Sequence, residues 1–262
     1  MGAWNMDAQL YLQRIGYTGK QDGSAEALAE LQERHLRSVP YENLDILQGI
    51  PLSLEPKHIY EKIVVRGRGG YCFELNALFG WLLRELGYDV TDCFARFWRD
   101  ETDLPPKRRH HVLLVRIGDS RYLCDVGVGG IVPKRPLLLL EGLEQPQGGE
   151  CYRLDRDADF GWFLMERKES EWLRLFSFTE ERQLAKDYLM ASYWCEHAPD
   201  SIFRSVKMLA IQTEEGRNTI AEDEFRLFRK DGVHTFKPDN EAEYAEALRT
   251  YFGIVLDGTT SK

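Results

Sequence analysis

The stretch Arg66-Gly-Arg-Gly-Gly-Tyr-Cys-Phe-Glu-Leu-Asn76 joins a glycine-rich turn to a helix and places one thiol, Cys72, at the junction. Apolar residues then recur at helical spacing as far as Gly87, which predicts a helix beginning at or beside Cys72. A thiol there faces unpaired amide hydrogens and the positive end of the helix dipole, which lower its pKa. Although a lone cysteine more often packs as a small apolar residue, Cys72 is the candidate nucleophile.

A hairpin is predicted downstream of that helix. The segments 110–117 and 120–126 are interpreted as strands, and the turn Gly118-Asp119 separates them. A two-residue loop that begins with glycine favours a type II′ turn, which places Ile117 opposite Ser120. This turn length fixes the register of the whole hairpin.

The predicted register decides which histidine meets a carboxylate. With Val112 opposite Asp125, side-chain alternation puts His110 and Asp125 on one face, about 7 to 8 Å apart on the diagonal and within reach of each other. His111 points to the opposite face. A three-residue loop would instead pair Leu113 with Asp125 and favour His111, so the choice of histidine depends on the turn length.

The composition excludes several classes of protein. The chain has 262 residues, 43% of them hydrophobic, and is therefore long enough to bury a sizeable core. Its net charge of −9 argues against a nucleic-acid binder. No apolar run approaches the roughly 18 to 20 residues of a membrane span, and no secretory signal precedes the first helix. Five cysteines without a CxxC pair, and histidines without ligand spacing, predict reduced thiols in the cytoplasm and no metal site.

Periodicity along the chain predicts an α+β protein of compact units in close contact. Helices are expected at 6–15, 24–38, 55–64, 73–86, 179–196 and 240–252. Beyond the hairpin, strands are expected at 90–97, 152–154, 162–168, 172–178, 206–212, 219–220, 224–229 and 233–236. The segment Val126-Gly-Val-Gly-Gly130 after Asp125 is not followed by a helix, so a dinucleotide-binding fold is not supported.

Cys72, His110 and Asp125 supply the three roles of thiol catalysis: a nucleophile, a base that takes its proton, and a carboxylate that orients the base. Attack on a thioester would give an acyl-enzyme. A second nucleophile would then take the acyl group. The predicted chemistry is therefore acyl transfer.

Four motifs in fixed order resemble the arylamine N-acetyltransferase family. They are Val39-Pro-Tyr-Glu-Asn-Leu44, Arg66 to Asn76 around Cys72, His110 followed by Val112-Leu-Leu-Val115, and Asp125-Val-Gly-Val-Gly-Gly130. A weaker similarity continues through His197-Ala-Pro-Asp-Ser-Ile-Phe203, so the resemblance covers nearly the whole chain. Two positions depart from the family's usual residue: Tyr41 and Val128 stand where it commonly has phenylalanine.

The resemblance implies a fold and its division. It implies an N-terminal helical bundle at 1–88 carrying the cysteine, and an antiparallel β-barrel at 89–178 carrying the histidine and aspartate. An interdomain helix at 179–203 and an α/β lid at 204–262 complete the chain. The catalytic core would be papain-like.

The resemblance also implies ping-pong transfer of an acetyl group from acetyl-CoA to an arylamine or hydrazine through a Cys72 thioester, with His110 as the base. No metal, nucleic acid or membrane is implied as a partner. By the same similarity Tyr41, Val128 and Phe203 line the acceptor pocket, and Gly127, Gly129 and Gly130 lie near the incoming thioester. The oligomeric state is left undetermined.

Other readings stay open from the sequence. Related enzymes use other acyl donors or act as amide synthases, and the same three residues serve thiol hydrolases of the papain or transglutaminase type. His111 is interpreted as an interior barrel histidine without a chemical role.

Overall fold

The computed structural model describes residues 6–101 and 103–256. Outside the described residues lie residues 1–5, Thr102 and residues 257–262. The two terminal ranges are the ends of the first and last predicted units. The described chain folds as helices packed on two antiparallel sheets, and the predicted α+β class is confirmed. The four-part division of the chain stays a prediction.

Seven α-helices are present in the described residues. They are α1 Ala8–Arg14, α2 Ala25–Ser38, α3 Leu44–Leu47, α4 Pro56–Tyr60, α5 Cys72–Glu85, α6 Tyr188–His197 and α7 Glu241–Phe252. Side chains of Ser24 and Asn240 cap α2 and α7 by accepting from Ala27 N–H and Glu243 N–H, as such residues do at helix starts. The helix predicted at 55–64 continues past α4 as a π-helical turn, Glu61–Val65.

In the part of the chain that the structure describes, thirteen strands form two sheets. They are β1 Tyr41–Glu42, β2 Asp89–Phe97, β3 Arg108–Ile117, β4 Ser120–Cys124, β5 Leu137–Leu138, β6 Gln145–Gln147, β7 Glu150–Asp157, β8 Gly161–Lys168, β9 Glu171–Phe178, β10 Met208–Gln212, β11 Arg217–Ala221, β12 Glu224–Arg229 and β13 Gly232–Phe236. The larger sheet has the order β5-β4-β3-β2-β9-β8-β7-β6, and the smaller one β1-β10-β11-β12-β13.

Glutamine side chains join the two edges of the larger sheet. Gln145 on β6 accepts from the backbone N–H of Leu138 and donates to its carbonyl, at 2.8 and 3.0 Å. Gln147 makes the same pair of contacts with Arg135, at 3.0 and 2.8 Å. These amides replace backbone pairing between β5 and β6, so the eight strands curve into a nearly closed barrel.

Four apolar clusters are present in the described residues, and three of them form the cores of the units. One lies among α1, α2 and α5 and extends to one face of β3, and a second fills the barrel. The third packs α7 on the smaller sheet. Val112 and Leu114 face the barrel interior, whereas Leu113 and Val115 face the helices. Strand β3 therefore has both faces buried, with one face toward each unit.

The helix predicted at 179–196 is shorter than expected, because α6 begins only at Tyr188. Residues 179–184 are not helical, and the backbone N–H of Gln183 donates to the carbonyl of Asp92 on β2 at 2.9 Å. A short 3₁₀ turn, Ala185–Asp187, then leads into the helix. Long-range backbone pairing with the barrel therefore overrides the helical pattern.

A buried group of charges fastens the glycine turn before Cys72. Lys62 donates to Asp45 and to Glu74, each at 2.8 Å. Arg68, inside the turn, donates to Asp45 and Glu42, both also at 2.8 Å. Interactions with these carboxylates raise the pKa of Lys62 against the opposing effect of burial. The charged side chains therefore act as a single unit that anchors the turn.

Removing one member of this buried charge group is expected to destabilise the protein. Lys62→Met leaves Glu74 without a cation and Asp45 with Arg68 alone, and an uncompensated buried charge costs about 3 to 5 kcal/mol. Urea unfolding should give a free energy of unfolding that is lower by that amount. Arg34→Met, which removes an exposed pair with Glu30, is the matched control and should change stability by roughly 0.5 kcal/mol or less. Equal effects of the two variants would contradict the anchoring role.

Candidate active site

The nucleophile candidate stands where the sequence predicts it, at the first residue of α5. Glu74 closes a capping interaction by accepting from the backbone N–H of Tyr71 at 3.1 Å. Cys72 is 3% exposed, and its sulfur lies 3.7 Å from the carbonyl oxygen of Arg109. The glycine turn, the buried charges and the helix start therefore fix the thiol beside the N-terminal part of β3.

The expected lowering of the thiol pKa is not found. Burial raises the pKa of Cys72 well above its ordinary value, and Cys195 and Asp125 act in the same direction. The backbone near His111 and the Arg109 guanidinium act to lower it. Burial penalises an isolated thiolate, whereas a thiolate formed by proton transfer to an adjacent imidazole stays paired. The site therefore needs a base to ionise the sulfur.

The predicted hairpin register is confirmed. Ile117 pairs with Ser120, and the ladder runs back to Leu113 opposite Cys124, which puts Val112 opposite the residue that follows β4. That residue is Asp125. The turn length inferred from Gly118-Asp119 thus sets the positions of the histidine and the carboxylate, as expected.

His110 and Asp125 form a buried hydrogen-bonded pair. His110 Nε2 lies 2.7 Å from Asp125 Oδ2, and the two residues are 3% and 5% exposed. The rings of Phe97 and Phe176 pack against the imidazole, with centroids 5.9 and 5.3 Å away. When Nε2 donates to the carboxylate, Nδ1 is left as the nitrogen that accepts a proton.

His111 occupies the other face of β3. Its Nε2 lies 3.0 Å from Asp92 Oδ1, and its ring stacks on Tyr188 of α6 with centroids 4.2 Å apart. Burial lowers its pKa, so the neutral form is favoured. The interpretation of His111 as an interior barrel residue is therefore wrong. Because side chains alternate along β3, His111 lies between the sheet and α6, whereas His110 faces the barrel.

Asn76 orients the carboxylate, and the sequence analysis assigned it no role. Its Nδ2 donates to Asp125 Oδ1 at 2.8 Å and to the carbonyl of His111 at 2.7 Å, and its Oδ1 accepts from Val126 N–H at 3.0 Å. Asn76 follows Cys72 by four residues, so both lie on one helix face. That spacing was the available signal.

Asn76→Ala is expected to slow catalysis and to destabilise the protein. The change leaves the Val126 N–H and one carboxylate oxygen with fewer partners, a cost of about 1 to 3 kcal/mol. Turnover should fall because Asp125 is less firmly held. Steady-state kinetics and thermal unfolding measure the two effects. Asn76→Asp retains an acceptor for Val126 but adds a negative charge beside Asp125, so it should not restore turnover; wild-type turnover in both variants would contradict the role.

A cavity of about 490 Å³ opens over these residues, and its wall includes both Cys72 and His110. This volume is typical of small-molecule sites. The family resemblance places six residues around the acceptor and the thioester, and all of them line this cavity: Tyr41, Gly127, Val128, Gly129, Gly130 and Phe203. Asp125 lies behind His110 and is not part of the wall.

Glycine is required at two positions of the cavity wall by close approach. A β carbon at Gly127 would come within 2.7 Å of the Cys72 Cα and 2.5 Å of Asn76 Nδ2. A β carbon at Gly129 would come within 2.8 Å of the Tyr41 ring. Contacts this short do not occur in folded proteins, so this segment passes close over the thiol only because it lacks side chains.

The smaller sheet completes the cavity. Leu209, Ala210 and Ile220 of β10 and β11 lie on its wall, and Gln212 donates to the carbonyl of Gly130 at 2.7 Å. Phe203 is buried beside them, and the guanidinium of Arg109 lies 5.6 Å from the centroid of its ring. All three structural units therefore contribute to one enclosed space.

Three consecutive cations at the start of β3, Lys107, Arg108 and Arg109, do not form a free cationic patch. Lys107 pairs with Asp103 at 3.2 Å, and Arg108 lies 3.9 Å from Glu181. Arg109 pairs with Glu101 on the cavity wall. Each cation thus has a carboxylate partner.

Comparison with known proteins identifies the family. Residues 24–261 match the N-acetyltransferase family model. An arylamine N-acetyltransferase of Mycobacterium tuberculosis is 36% identical over 254 residues, covering 95% of this chain and 89% of that protein. The chain belongs to the arylamine N-acetyltransferase family. The order of its motifs agrees with that assignment.

Solved structures of this family agree with the fold. The Mycobacterium marinum arylamine N-acetyltransferase, determined in complex with CoA, matches with a TM-score of 0.87 and 34% identity, covering 95% of this chain and 93% of that one. The Salmonella typhimurium enzyme matches with a TM-score of 0.91 and 28% identity, covering 98% and 96%. The fold implied by the sequence resemblance to this family is therefore confirmed.

No helix in the described residues combines the length and the apolar character that a bilayer crossing requires. Residues 6–101 and 103–256 contain no group of three or more His, Cys, Asp or Glu side chains arranged to hold a metal ion. All five cysteines are buried and free.

Proposed function

We propose that the protein transfers an acetyl group from acetyl-CoA to the nitrogen of an arylamine or arylhydrazine through a thioester on Cys72. The observation that carries this proposal is the buried His110–Asp125 pair, at 2.7 Å, on a cavity whose wall also holds the thiol. Family membership supports both the acetyl donor and the arylamine acceptor.

In the first half-reaction, His110 accepts the Cys72 proton at Nδ1 while the sulfur attacks the carbonyl carbon of the acetyl group. The bond from that carbon to the sulfur of CoA then breaks. His110 returns the proton to the leaving thiolate, and CoA departs as a thiol. The acetyl group remains on Cys72, and Asp125 stabilises the transient imidazolium.

In the second half-reaction the acceptor nitrogen attacks the Cys72 thioester. His110 takes a proton from the nitrogen, the carbon–sulfur bond to Cys72 breaks, and the sulfur leaves as a thiolate or recovers that proton. The amide product then departs. Burial around the thiol keeps water from the thioester, which favours transfer over hydrolysis.

The cavity wall supports an assignment of its parts. Backbone without side chains at Gly127, Gly129 and Gly130 leaves room for the thioester end of the acyl donor beside the sulfur. Tyr41, Val128 and Phe203 supply an apolar surface for the acceptor ring. Val128 offers an aliphatic contact, which makes that wall less aromatic and leaves more room for ring substituents.

A cytoplasmic location is part of the proposal. Five buried cysteines without disulfides suit a reducing compartment, and acetyl-CoA is an intracellular metabolite. The division at 1–88, 89–178, 179–203 and 204–262 is proposed with it, since the described clusters and sheets fall within those limits for the most part.

Intact-protein and peptide mass spectrometry test the function. Protein mixed with acetyl-CoA and no acceptor should gain one acetyl group on the Cys72 peptide, and adding an aniline or arylhydrazine should remove it as the acetylated amine. An adduct that forms with a different acyl-CoA and not with acetyl-CoA would indicate another donor. Peptide hydrolysis without an adduct would instead identify a thiol hydrolase.

A further inference from the structure

Tyr41 lines the cavity that holds Cys72, and its side chain ends in a phenolic hydroxyl. Among the residues that the structure describes, this hydroxyl has no hydrogen-bond partner. The hydroxyls of Tyr152 and Tyr188 also lack partners, but they are sealed inside the protein, whereas Tyr41 is only partly buried. Polar groups in enclosed sites normally find a partner. An unpaired donor on a cavity wall is therefore free to bond to a molecule in the cavity.

Backbone pairing directs the Tyr41 side chain toward the thiol. Tyr41 forms a parallel bridge with Gly70, two residues before Cys72. Tyr71 between them is extended, with φ −105° and ψ −176°. Side chains two residues apart on extended backbone share a face, and diagonal neighbours about 7 to 8 Å apart are within reach of an aromatic side chain. Tyr41 and Cys72 therefore face the same side.

One short segment touches both residues. Gly127 lies against Cys72 and Gly129 lies against the Tyr41 ring, so both residues contact one three-residue span, Gly127 to Gly129. An acyl group on the sulfur would occupy the space between them. Its carbonyl oxygen is the one strong hydrogen-bond acceptor that this group has.

The phenol keeps its proton near neutral pH. Burial, and next the nearby Cys72 and Cys195 groups, raise the pKa of Tyr41 well above its ordinary value. A protonated phenol donates a hydrogen bond, and this hydrogen bond becomes stronger as negative charge develops on the acceptor oxygen. The group is therefore suited to a carbonyl that becomes an oxyanion.

We propose that the Tyr41 hydroxyl is a catalytic hydrogen-bond donor to the carbonyl oxygen of the acyl group in both half-reactions. This inference rests on the proposed function. When the Cys72 sulfur bonds to the carbonyl carbon, the π electron pair moves to oxygen, and Tyr41 donates to that oxyanion without losing its proton. When the pair returns, the carbonyl re-forms and the bond to the leaving group breaks.

Tyr41→Phe tests this role because it removes one oxygen and keeps the ring against Gly129. The rate of Cys72 acylation, measured by rapid quench with acetyl-CoA, should fall about 10²-fold, as for the loss of one oxyanion donor. Deacylation by an arylamine should fall by a similar factor. Acylation by 4-nitrophenyl acetate should fall likewise, which separates the effect from binding of CoA.

Alkylation of Cys72 by iodoacetamide provides the internal reference. That reaction displaces iodide and forms no oxyanion, so the wild-type protein and Tyr41→Phe should react at equal rates across pH. Tyr188→Phe is the matched control, since it removes a partnerless hydroxyl that does not line the cavity, and its acylation rate should equal that of the wild type. Equal melting temperatures would establish that each variant is folded.

Three outcomes would overturn the inference. Wild-type acylation rates in Tyr41→Phe would show that the hydroxyl does not act. A parallel loss of alkylation would mean that it acts on the thiol. A loss confined to deacylation, with a raised KM for the acceptor, would show that the Tyr41 hydroxyl binds the acceptor and does not bond to the acyl oxygen. Failure of the proposed function gives a different result, because the wild-type protein itself would then form no acetyl adduct.

Discussion

Cys72→Ala and Cys72→Ser should each lower the rate of arylamine acetylation by about 10⁴-fold or more, because neither side chain forms a thiolate and the nucleophile acts as part of one unit with its base. The serine hydroxyl differs from the thiol by one atom but ionises far less readily, so it should rescue little. Product formation at saturating acetyl-CoA and arylamine, followed by chromatography, measures this loss.

Cys151→Ala is the control for the loss of a buried thiol. Cys151 lies on β7 away from the cavity wall, so its removal should leave acetylation near the wild-type rate. Mass spectrometry should find no acetyl adduct on the Cys72 variants. If either Cys72 variant turned over at a rate close to the wild type, acetyl transfer would not proceed through this sulfur, and a direct transfer within a ternary complex would have to replace the two-step route.

Features governed by neighbouring residues could be predicted from the sequence. The two-residue loop Gly118-Asp119 fixes the hairpin by local turn geometry, and from that single register the contact between His110 and Asp125 follows. The start of α5 at Cys72 follows from apolar spacing and from the glycines before it. These conclusions need no knowledge of distant contacts.

Features that depend on distant contacts could not be predicted. Asn76 meets Asp125 across 49 residues of chain, and only the docking of α5 on the hairpin creates that contact. The glutamine side chains that join β5 to β6 produce no periodic pattern in the sequence, so the closure of the sheet could not be predicted from periodicity. The unpaired amides and the dipole at the helix start predict a lowered thiol pKa, yet the depth of burial decides its direction.

The departure from the family at Tyr41 illustrates the same limit. A sequence reading treats Tyr in place of the usual Phe as a conservative change, since both rings fill the same space. The structure adds that Tyr41 lines the cavity and that its extra oxygen has no partner among the described residues. A change that is neutral for packing can therefore alter the chemistry of the site.

His110→Ala and His111→Ala form the second pair of expected results. His110→Ala removes the group that takes the thiol proton and should cost about 10⁴-fold or more in turnover. His111→Ala removes a ring that stacks on Tyr188 and pairs with Asp92, on the opposite face of β3. Its main expected effect is on stability, a loss of about 1 to 3 kcal/mol for an unpaired buried group, with turnover within about 10-fold of the wild type.

Comparing the two variants shows which histidine is the base, because the two residues are adjacent, both buried and each hydrogen-bonded to a carboxylate. Turnover should be normalised to the folded fraction from thermal unfolding, so that the stability loss in His111→Ala does not count as lost activity. The rate of Cys72 alkylation by iodoacetamide provides a second readout, and near neutral pH it should fall only in His110→Ala, where the thiol has lost its base. The reverse ranking would assign the base to His111 and would require the hairpin to be shifted by one residue from the pairing of Ile117 with Ser120.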